Sequence, residues 1–311
     1  MNRLVANNRT RQNRPGETHE RGGFALGLGA YALWGVLPLY FKAIAAVPAL
    51  DIVAHRVLWS LPFLAILITL SKGWDKVRAA LRRPRTLAIL TLTALLIGGN
   101  WLLYVVAVTN GHILAASFGY YLNPLVNVLL GRFILKERVD RLQWIAVAIA
   151  AAGISVLAAG ALGQLWISLT LCFTFALYGL LRKVVEADAV SGLAIETAVL
   201  FPFALAWLGW LALAGQPVMG FTTREAVLLL FAGIISTTPL LLFTAAARRL
   251  PYSTLGMLQF LAPTLQFLIA VLVYGEAFTA AHAIAFAAIW TALVLYVIAM
   301  LRAPRLPQAP E

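Results

Sequence analysis

The sequence predicts an all-α polytopic membrane protein, with ten transmembrane helices arranged as two inverted five-helix repeats. Three observations carry that prediction. The composition is far too apolar for a soluble domain, apolar runs of about 18 or more residues recur along the whole length, and one pattern of residues occurs twice. Of the 311 residues, 62% are hydrophobic and 12% charged, with a mean hydropathy of +0.87; soluble domains are about a quarter charged. Only helices and closed barrels satisfy their backbone in a bilayer, and the ~10-residue alternating segments of a barrel are absent.

The chain opens with a polar, basic stretch, MNRLVANNRTRQNRPGETHERG, read as a disordered tail over residues 1–22. It does not resemble a signal peptide, because the apolar run after it is too long and lacks an A-x-A-like end. Ten spans follow, at about 24–41, 51–70, 87–108, 113–135, 142–160, 164–182, 192–213, 226–246, 252–273 and 282–301. The connections are short, so neighbouring spans pack sequentially and no soluble domain is inserted. Basic residues set the orientation. Of the 24 Lys and Arg, all but Lys42, Arg56 and Arg224 fall on one set of ends. These ends include the amino tail, the 71–86 loop, the 131–141 loop, Arg182 and Lys183, Arg248 and Arg249, and the carboxyl tail 302–311. Both termini are therefore expected in the cytoplasm. The formal charge of +12 is loop charge on this reading and does not call for nucleic acid. The one cysteine, Cys172, lies in an apolar run, which excludes an intramolecular disulfide and a cysteine-rich metal site.

The repeat is read from FGYYLNPLVNVLLGRFILKE (118–137) and MLQFLAPTLQFLIAVLVYGE (257–276). At an offset of 139, Pro124 falls on Pro263, Asn127 on Gln266 and Glu137 on Glu276. At 140, Arg56 falls on Glu196 and LPF (61–63) on FPF (201–203); at 144, ALWG (32–35) falls on ALYG (176–179). The order holds across five spans, so residues 23–160 and 161–301 form two copies. Five is odd, so the second copy enters the membrane from the opposite side, the inverted-repeat architecture of many secondary transporters. Pro124 lies roughly 16 Å along its span, near the middle of a ~30 Å core, and Pro263 lies at a similar depth from the other face. Two helices broken there expose the carbonyls of Tyr120 and Gln259. These breaks either face a cavity or are packing kinks healed by neighbours; polar residues around them, Tyr120, Tyr121, Asn123, Asn127, Gln259 and Gln266, favour the cavity.

The chain resembles the EamA branch of the drug/metabolite transporter superfamily, and within it the RarD type. The segments that carry the resemblance are ALWGVLPLYFK (32–42), AHRVLWS (54–60), NWLLYVVAVTNGHILAASFGYYLNPL (100–125), LKER (135–138) and LLLFTAAARRLPYSTLGMLQFLAPT (240–264). They span nearly the whole chain beyond the tail. The resemblance implies a ten-helix inner-membrane transporter of small organic molecules, built around a central cavity between inverted repeats. Members bear the name chloramphenicol-sensitive protein, which identifies no physiological substrate.

The candidate pathway residues each carry two readings. Arg56, a cation inside a span, costs about 2.5–3.5 kcal/mol if central and otherwise snorkels to the outer headgroups. Glu196 is its counterpart from the opposite face. With each ~7 Å from its own surface, roughly 15 Å of height separates them, so the two mark ends of one pathway and do not pair directly. His55 either carries a coupling proton or acts as a structural hydrogen-bonder. Asn100, beside Trp101 and Tyr104, is a deep amide that needs partners. Trp34 and Tyr178 either line the cavity or pack the core. Glu137 and Glu276, matched at span ends, read as helix-end or gate contacts, more structural than substrate-binding. The alanine-rich fifth span offers a face for packing within the chain, or for a homodimer.

Function then reads as alternating-access transport of a small organic metabolite or drug, possible proton coupling included. No Walker motif, cofactor motif or metal-ligand cluster is present in the sequence. An enzyme needs titratable groups gathered at one depth, whereas the spans hold scattered single ones. A non-transporting substrate sensor is the remaining alternative, with little loop available for a signalling domain.

Overall fold

Each expected span coincides with a helix or a helix pair, with ends within a few residues except at the amino end of the first. The computed structural model describes residues 15–109, 113–158, 165–273, 275 and 280–302. In chain order the helices are α1 (Pro15–Ala43), α2 (Ala49–Leu70), α3 (Trp74–Leu81), α4 (Pro84–Thr109), α5 (Ile113–Phe133) and α6 (Arg141–Ala158). Then come α7 (Leu165–Val184), α8 (Ala189–Leu213), α9 (Thr223–Ala247), α10 (Tyr252–Leu258), α11 (Leu261–Leu272) and α12 (Ala280–Arg302). No strand occurs among the described residues. Six of the helices, α1, α2, α4, α7, α8 and α9, contain apolar windows long enough to cross a membrane, again among the described residues. α6 and α12 hold shorter ones, Arg141–Val156 and Ala283–Ala299.

The distribution of side chains inverts that of a soluble protein. Phe203, Leu213, Leu272 and Phe133 stand exposed on the outside, while Asn100, Asn123, Asn127, Arg182 and Glu196 are buried. Large exposed apolar surface around a polar-containing interior is what a lipid solvent selects. The protein is a multi-pass membrane protein.

Local signals fix the helix starts. Thr222 accepts a hydrogen bond from the Glu225 amide while the Glu225 carboxylate accepts from Thr222, a capping box that opens α9. Asp188 caps α8 by accepting from the Val190 and Ser191 amides. The α10 start uses a distant residue. The Glu137 carboxylate, reached from just beyond α5, accepts from the Tyr252 amide at 2.5 Å and the Ser253 amide at 2.9 Å. That is the helix-end contact expected of Glu137; Glu276 lies outside the described residues, as do the first 14 residues of the amino tail.

Four features depart from the sequence reading. Residues 15–22, expected as part of a disordered tail, form the first turns of α1. The proline-bearing stretches are not alike: α5 runs on through Pro124, whereas the second is divided into α10 and α11. Nor is the Gln259 carbonyl exposed. Pro263 cannot donate to it, and the Ala262 amide does so instead at 3.2 Å, tightening the chain into a short turn. The 71–86 loop also contains an unexpected helix, α3, whose apolar residues Val77 and Ala80 are buried.

Close backbone approaches bring the helices together. Gly233 of α9 meets the backbone of α2 at Trp59 and Ser60 so closely that any side chain would collide. At Gly256, an added Cβ would come within 2.9 Å of the Pro124 carbonyl and 2.7 Å of the Asn127 Cβ, so α10 crosses directly over α5. Pro38 leaves the Trp34 carbonyl of α1 without its helical donor. Gln266 of α11 supplies one, its side-chain amide donating at 3.0 Å.

Candidate functional site

α2, α4, α8 and α9 enclose a cavity between them. Arg56, Val57 and Ser60 line it from α2, and Ile97 and Trp101 from α4. Leu193, Glu196, Thr197 and Leu200 come from α8, and Ser236, Thr237 and Leu240 from α9. Its free space is about 20 Å³, room for roughly one water and far too little for an organic molecule. An occupant of metabolite size therefore requires the surrounding helices to move apart.

The two charges on the wall have different company. The Arg56 guanidinium lies over the Trp101 ring at 4.1 Å, a cation–π contact. Its buried Nε has no hydrogen-bond partner among the described residues. Ser60, one turn on, donates to the Arg56 carbonyl and accepts from Thr237 at 2.6 Å, linking α2 to α9 beside the cavity. Ser236 turns back onto its own helix, donating to the Ala232 carbonyl.

Glu196, on the other side, is crowded with partners. Thr93 donates to its Oε1 at 2.6 Å, Tyr178 donates to its Oε2 at 3.4 Å, and Arg182 Nε lies 3.5 Å away as an ion pair. Arg182 is wholly buried, donating from its Nη2 to the Ala189 carbonyl at 3.1 Å. The slot for its guanidinium exists because residue 192 is glycine; a Cβ there would overlap it. Arg182 was expected among the loop cations, and this is a correction: it is an interior charge. A basic residue at the end of an apolar run looks the same in sequence whether it turns outward or inward. Its neighbour Lys183 behaves as a helix-end clamp, donating to the Ala247 and Leu250 carbonyls at the end of α9.

The remaining candidates divide into three groups. Asn100 is fully satisfied: it donates to the Leu171 carbonyl at 2.9 Å and to Thr174 at 2.8 Å, and accepts from Tyr120 at 3.0 Å, so it ties α4, α5 and α7 together. Tyr104 packs its ring on Tyr120 at 5.7 Å. Trp34 and Tyr178 join one aromatic cluster through Phe175 and Phe243, with Tyr178 stacked on Phe243 at 6.3 Å. Through the Tyr178 hydroxyl that cluster reaches Glu196.

His55 points elsewhere. Its Nε2 donates to the Val218 carbonyl at 2.7 Å, in the 214–222 connection, and its Nδ1 accepts from Trp59 at 3.3 Å. Those two bonds define a neutral imidazole with both nitrogens engaged. Tyr121 packs towards α12, its ring 6.3 Å from Phe286. At the α5–α10 crossing, Asn127 donates to the Gln259 side chain at 3.1 Å. Asn123 is buried with both amide atoms unpartnered among the described residues. Pro124 belongs to this crossing through its carbonyl beside Gly256, Pro263 lies in α11, and neither proline lines the cavity.

Sequence reasoning missed Thr93, Arg182, Ser60, Ser236 and Thr237. The hydroxyls carry no distinguishing signal in spans rich in Ser and Thr. No group of three or more metal-ligating side chains occurs among the described residues.

Comparison with known proteins bears on what this arrangement serves. The EamA-like transporter family model matches residues 21–159. An uncharacterized transporter of Vibrio cholerae is 47% identical over 290 residues, 93% of this chain and 96% of that protein. Protein RarD of Escherichia coli K12 is 45% identical over 286 residues, 89% of this chain and 94% of that one. The chain belongs to the EamA-like transporter family. A further member, chloramphenicol-sensitive protein RarD of Pseudomonas aeruginosa, is 37% identical over 281 residues, 88% of this chain and 92% of its own. A crystal structure with a TM-score of 0.72 and 20% identity, covering 92% of this chain and all of that one, shares the EamA protein's fold. Family membership identifies a membrane transporter of the drug/metabolite type, and the names point to transport rather than catalysis.

Proposed function

We propose that this EamA-family chain is a secondary transporter that carries a small organic metabolite or drug across the inner membrane by alternating access. The observation that carries this reading is the cavity, because its two charged residues, Arg56 and Glu196, stand 140 positions apart in matching places of the two halves. In this reading α1, α2, α4, α5 and α6 are the spans of residues 23–160. α7, α8, α9, the α10–α11 pair and α12 are those of 161–301. Both termini and α3 lie on the cytoplasmic side.

The packing supports two equivalent halves. α1 rests on α9 as α7 rests on α4, α1 on α11 as α7 on α5, and α2 on α9 as α8 on α4. α2–α8, α5–α10 and α6–α12 pair each element with its own counterpart. Exchange of the halves leaves that pattern unchanged, as a two-fold relation requires. A pathway between such halves opens to one side or the other by rocking. The cavity's small volume fits a state closed around it. Trp34, Tyr104, Tyr120 and Tyr178 then act as the apolar wall near the charges. Asn123, Asn127 and Gln259 line the crossing where the halves slide, with Tyr121 behind it. His55 braces the outer connection.

Counterflow in liposomes containing the full chain tests the reading. Small organic solutes, chloramphenicol among them, are first screened for thermal stabilisation, and the hits are followed as labelled flux. Saturable flux that falls on Asn123→Ala is expected. Binding with no flux above that of empty liposomes, or chemical turnover of a hit, would overturn it.

A further inference from the structure

The cavity holds one positive charge, on Arg56, that no acid among the described residues pairs with. Among the described residues the ion pairs are Arg78–Asp75, Arg83–Glu186 and Arg182–Glu196, so no carboxylate lies within pairing distance of Arg56. Glu196, the acid on the opposite wall, is committed to Arg182, Thr93 and Tyr178. Arg56, Arg182 and Glu196 together therefore carry a net charge of one plus. A guanidinium inside a bilayer is costly to keep, and here it rests on the face of Trp101 with its Nε unbonded among the described residues. Planar guanidinium groups match carboxylates through two parallel hydrogen bonds. Next to it stand the hydroxyls of Ser60 and Thr237, and beyond them the apolar side chains of Leu193, Leu200 and Leu240.

We propose that the transported molecule is an amphipathic organic monoanion, a carboxylate whose charge docks on Arg56 and whose apolar body faces α8 and α9. This rests on the transport reading above and adds the substrate class. The carboxylate replaces Trp101 as the main partner of Arg56. The hydroxyl protons of Ser60 and Thr237 are already given to the Arg56 carbonyl and to Ser60, so the guanidinium is the donor that holds the carboxylate, and Glu196 across the cavity disfavours a second negative charge. Neutral molecules leave the guanidinium uncompensated, and dianions meet Glu196.

Three shape-related probes separate these cases: phenylacetate, its neutral amide phenylacetamide, and the dianion phenylmalonate. Each is titrated into the full chain in nanodiscs, with thermal stabilisation and calorimetry as readouts. Phenylacetate is expected to bind saturably and at least about tenfold more tightly than either relative, the discrimination of one charge-assisted bidentate contact. Arg56→Gln is expected to abolish the preference for phenylacetate over phenylacetamide, and Arg56→Lys, which keeps the charge but not the fork, to retain it in weakened form. If Arg56→Gln does not fold, the wild-type comparison and Arg56→Lys still decide. Absence of phenylacetate binding overturns the proposal, as do equal affinities for any two probes that include phenylacetate, or a preference that survives Arg56→Gln. Flux distinguishes this from failure of the transport reading. Saturable flux of neutral solutes with no carboxylate binding removes only the substrate class; Arg56-dependent carboxylate binding without flux removes only transport.

Discussion

Glu196 and Arg182 share an interior where neither has water to fall back on. Removing one charge of a buried pair leaves the other unpaired, at a cost of about 3–5 kcal/mol, whereas replacing both by apolar groups is often close to neutral. Glu196→Gln keeps the side-chain shape and an acceptor oxygen for Thr93, the shorter of the two bonds, but turns an NH2 towards Tyr178 and strands Arg182. Its unfolding transition in detergent should fall strongly, and adding Arg182→Met should restore most of the loss. If the double variant is as unstable as the single, the pair is not what holds these helices. The two residues also mark where the sequence was and was not legible. Glu196 stands in the middle of an apolar run, so its cost announced it. Arg182 sits beside Lys183 at a helix end, where outward and inward rotamers leave the same letters. A second titrating group lies outside the spans. Asp188 is partly buried, which alone raises its pKa, but the Ser191 amide and hydroxyl, Lys76 and the Val190 amide together hold it below the usual aspartate value. A folded-state pKa below the unfolded one contributes stability that is complete above the ordinary value of about 3.9 and fades as pH drops through the folded value. Asp188→Asn keeps an acceptor for the cap but no charge. Wild type should exceed it in stability at neutral pH by a constant margin that closes below about pH 4. A margin that persists in acid would assign the effect to hydrogen-bond geometry.

Among the elements, the helices were readable because lipid demands unbroken apolar length, and hydropathy reports length directly. What it does not report is how each proline is accommodated. Pro124 and Pro263 occupy equivalent places in the sequence, yet α5 continues while α10 and α11 separate at a tightened turn. The difference lies in what each neighbour supplies, and neighbours are set by tertiary packing. Pro38 gives the measurable case. The carbonyl it orphans, Trp34, takes its bond from Gln266 on α11, so two helices are joined by the repair of one. Gln266→Ala should destabilise by about 1 kcal/mol, the net worth of a hydrogen bond plus some desolvation. In the background of Pro38→Ala, where the helical amide can serve Trp34 again, the same substitution should cost little. Equal costs in both backgrounds would mean that Gln266 acts by packing alone. α3 was missed for a related reason. Eight residues in a segment with seven charges lack the apolar length that identifies a span, and burial of Val77 and Ala80 against the rest of the protein makes the segment cohere.

For the whole molecule, the decisive question is how the two halves are turned relative to each other. Hydropathy and the repeated residues suggest two copies but do not distinguish parallel from inverted insertion; only the odd number of spans per copy and the bias of basic residues do that. The connection after α2, at Ser71–Gly73, and the connection after α8, at 214–222, are equivalent points of the two copies. Inverted copies put them on opposite sides of the membrane, and parallel copies put them on the same side. The native thiol does not interfere, because Cys172 is buried. Lys72 and Gln216 are both exposed, so a cysteine at either is open to reagent. In intact cells an impermeant maleimide should label Gln216→Cys and leave Lys72→Cys untouched until the membrane is opened. Labelling of both from outside, or of neither, would remove the inversion and with it the two-sided pathway through Arg56 and Glu196. Labelling of Gln216→Cys alone would make the matched charges on the cavity wall two views of one position, seen from opposite faces of the bilayer.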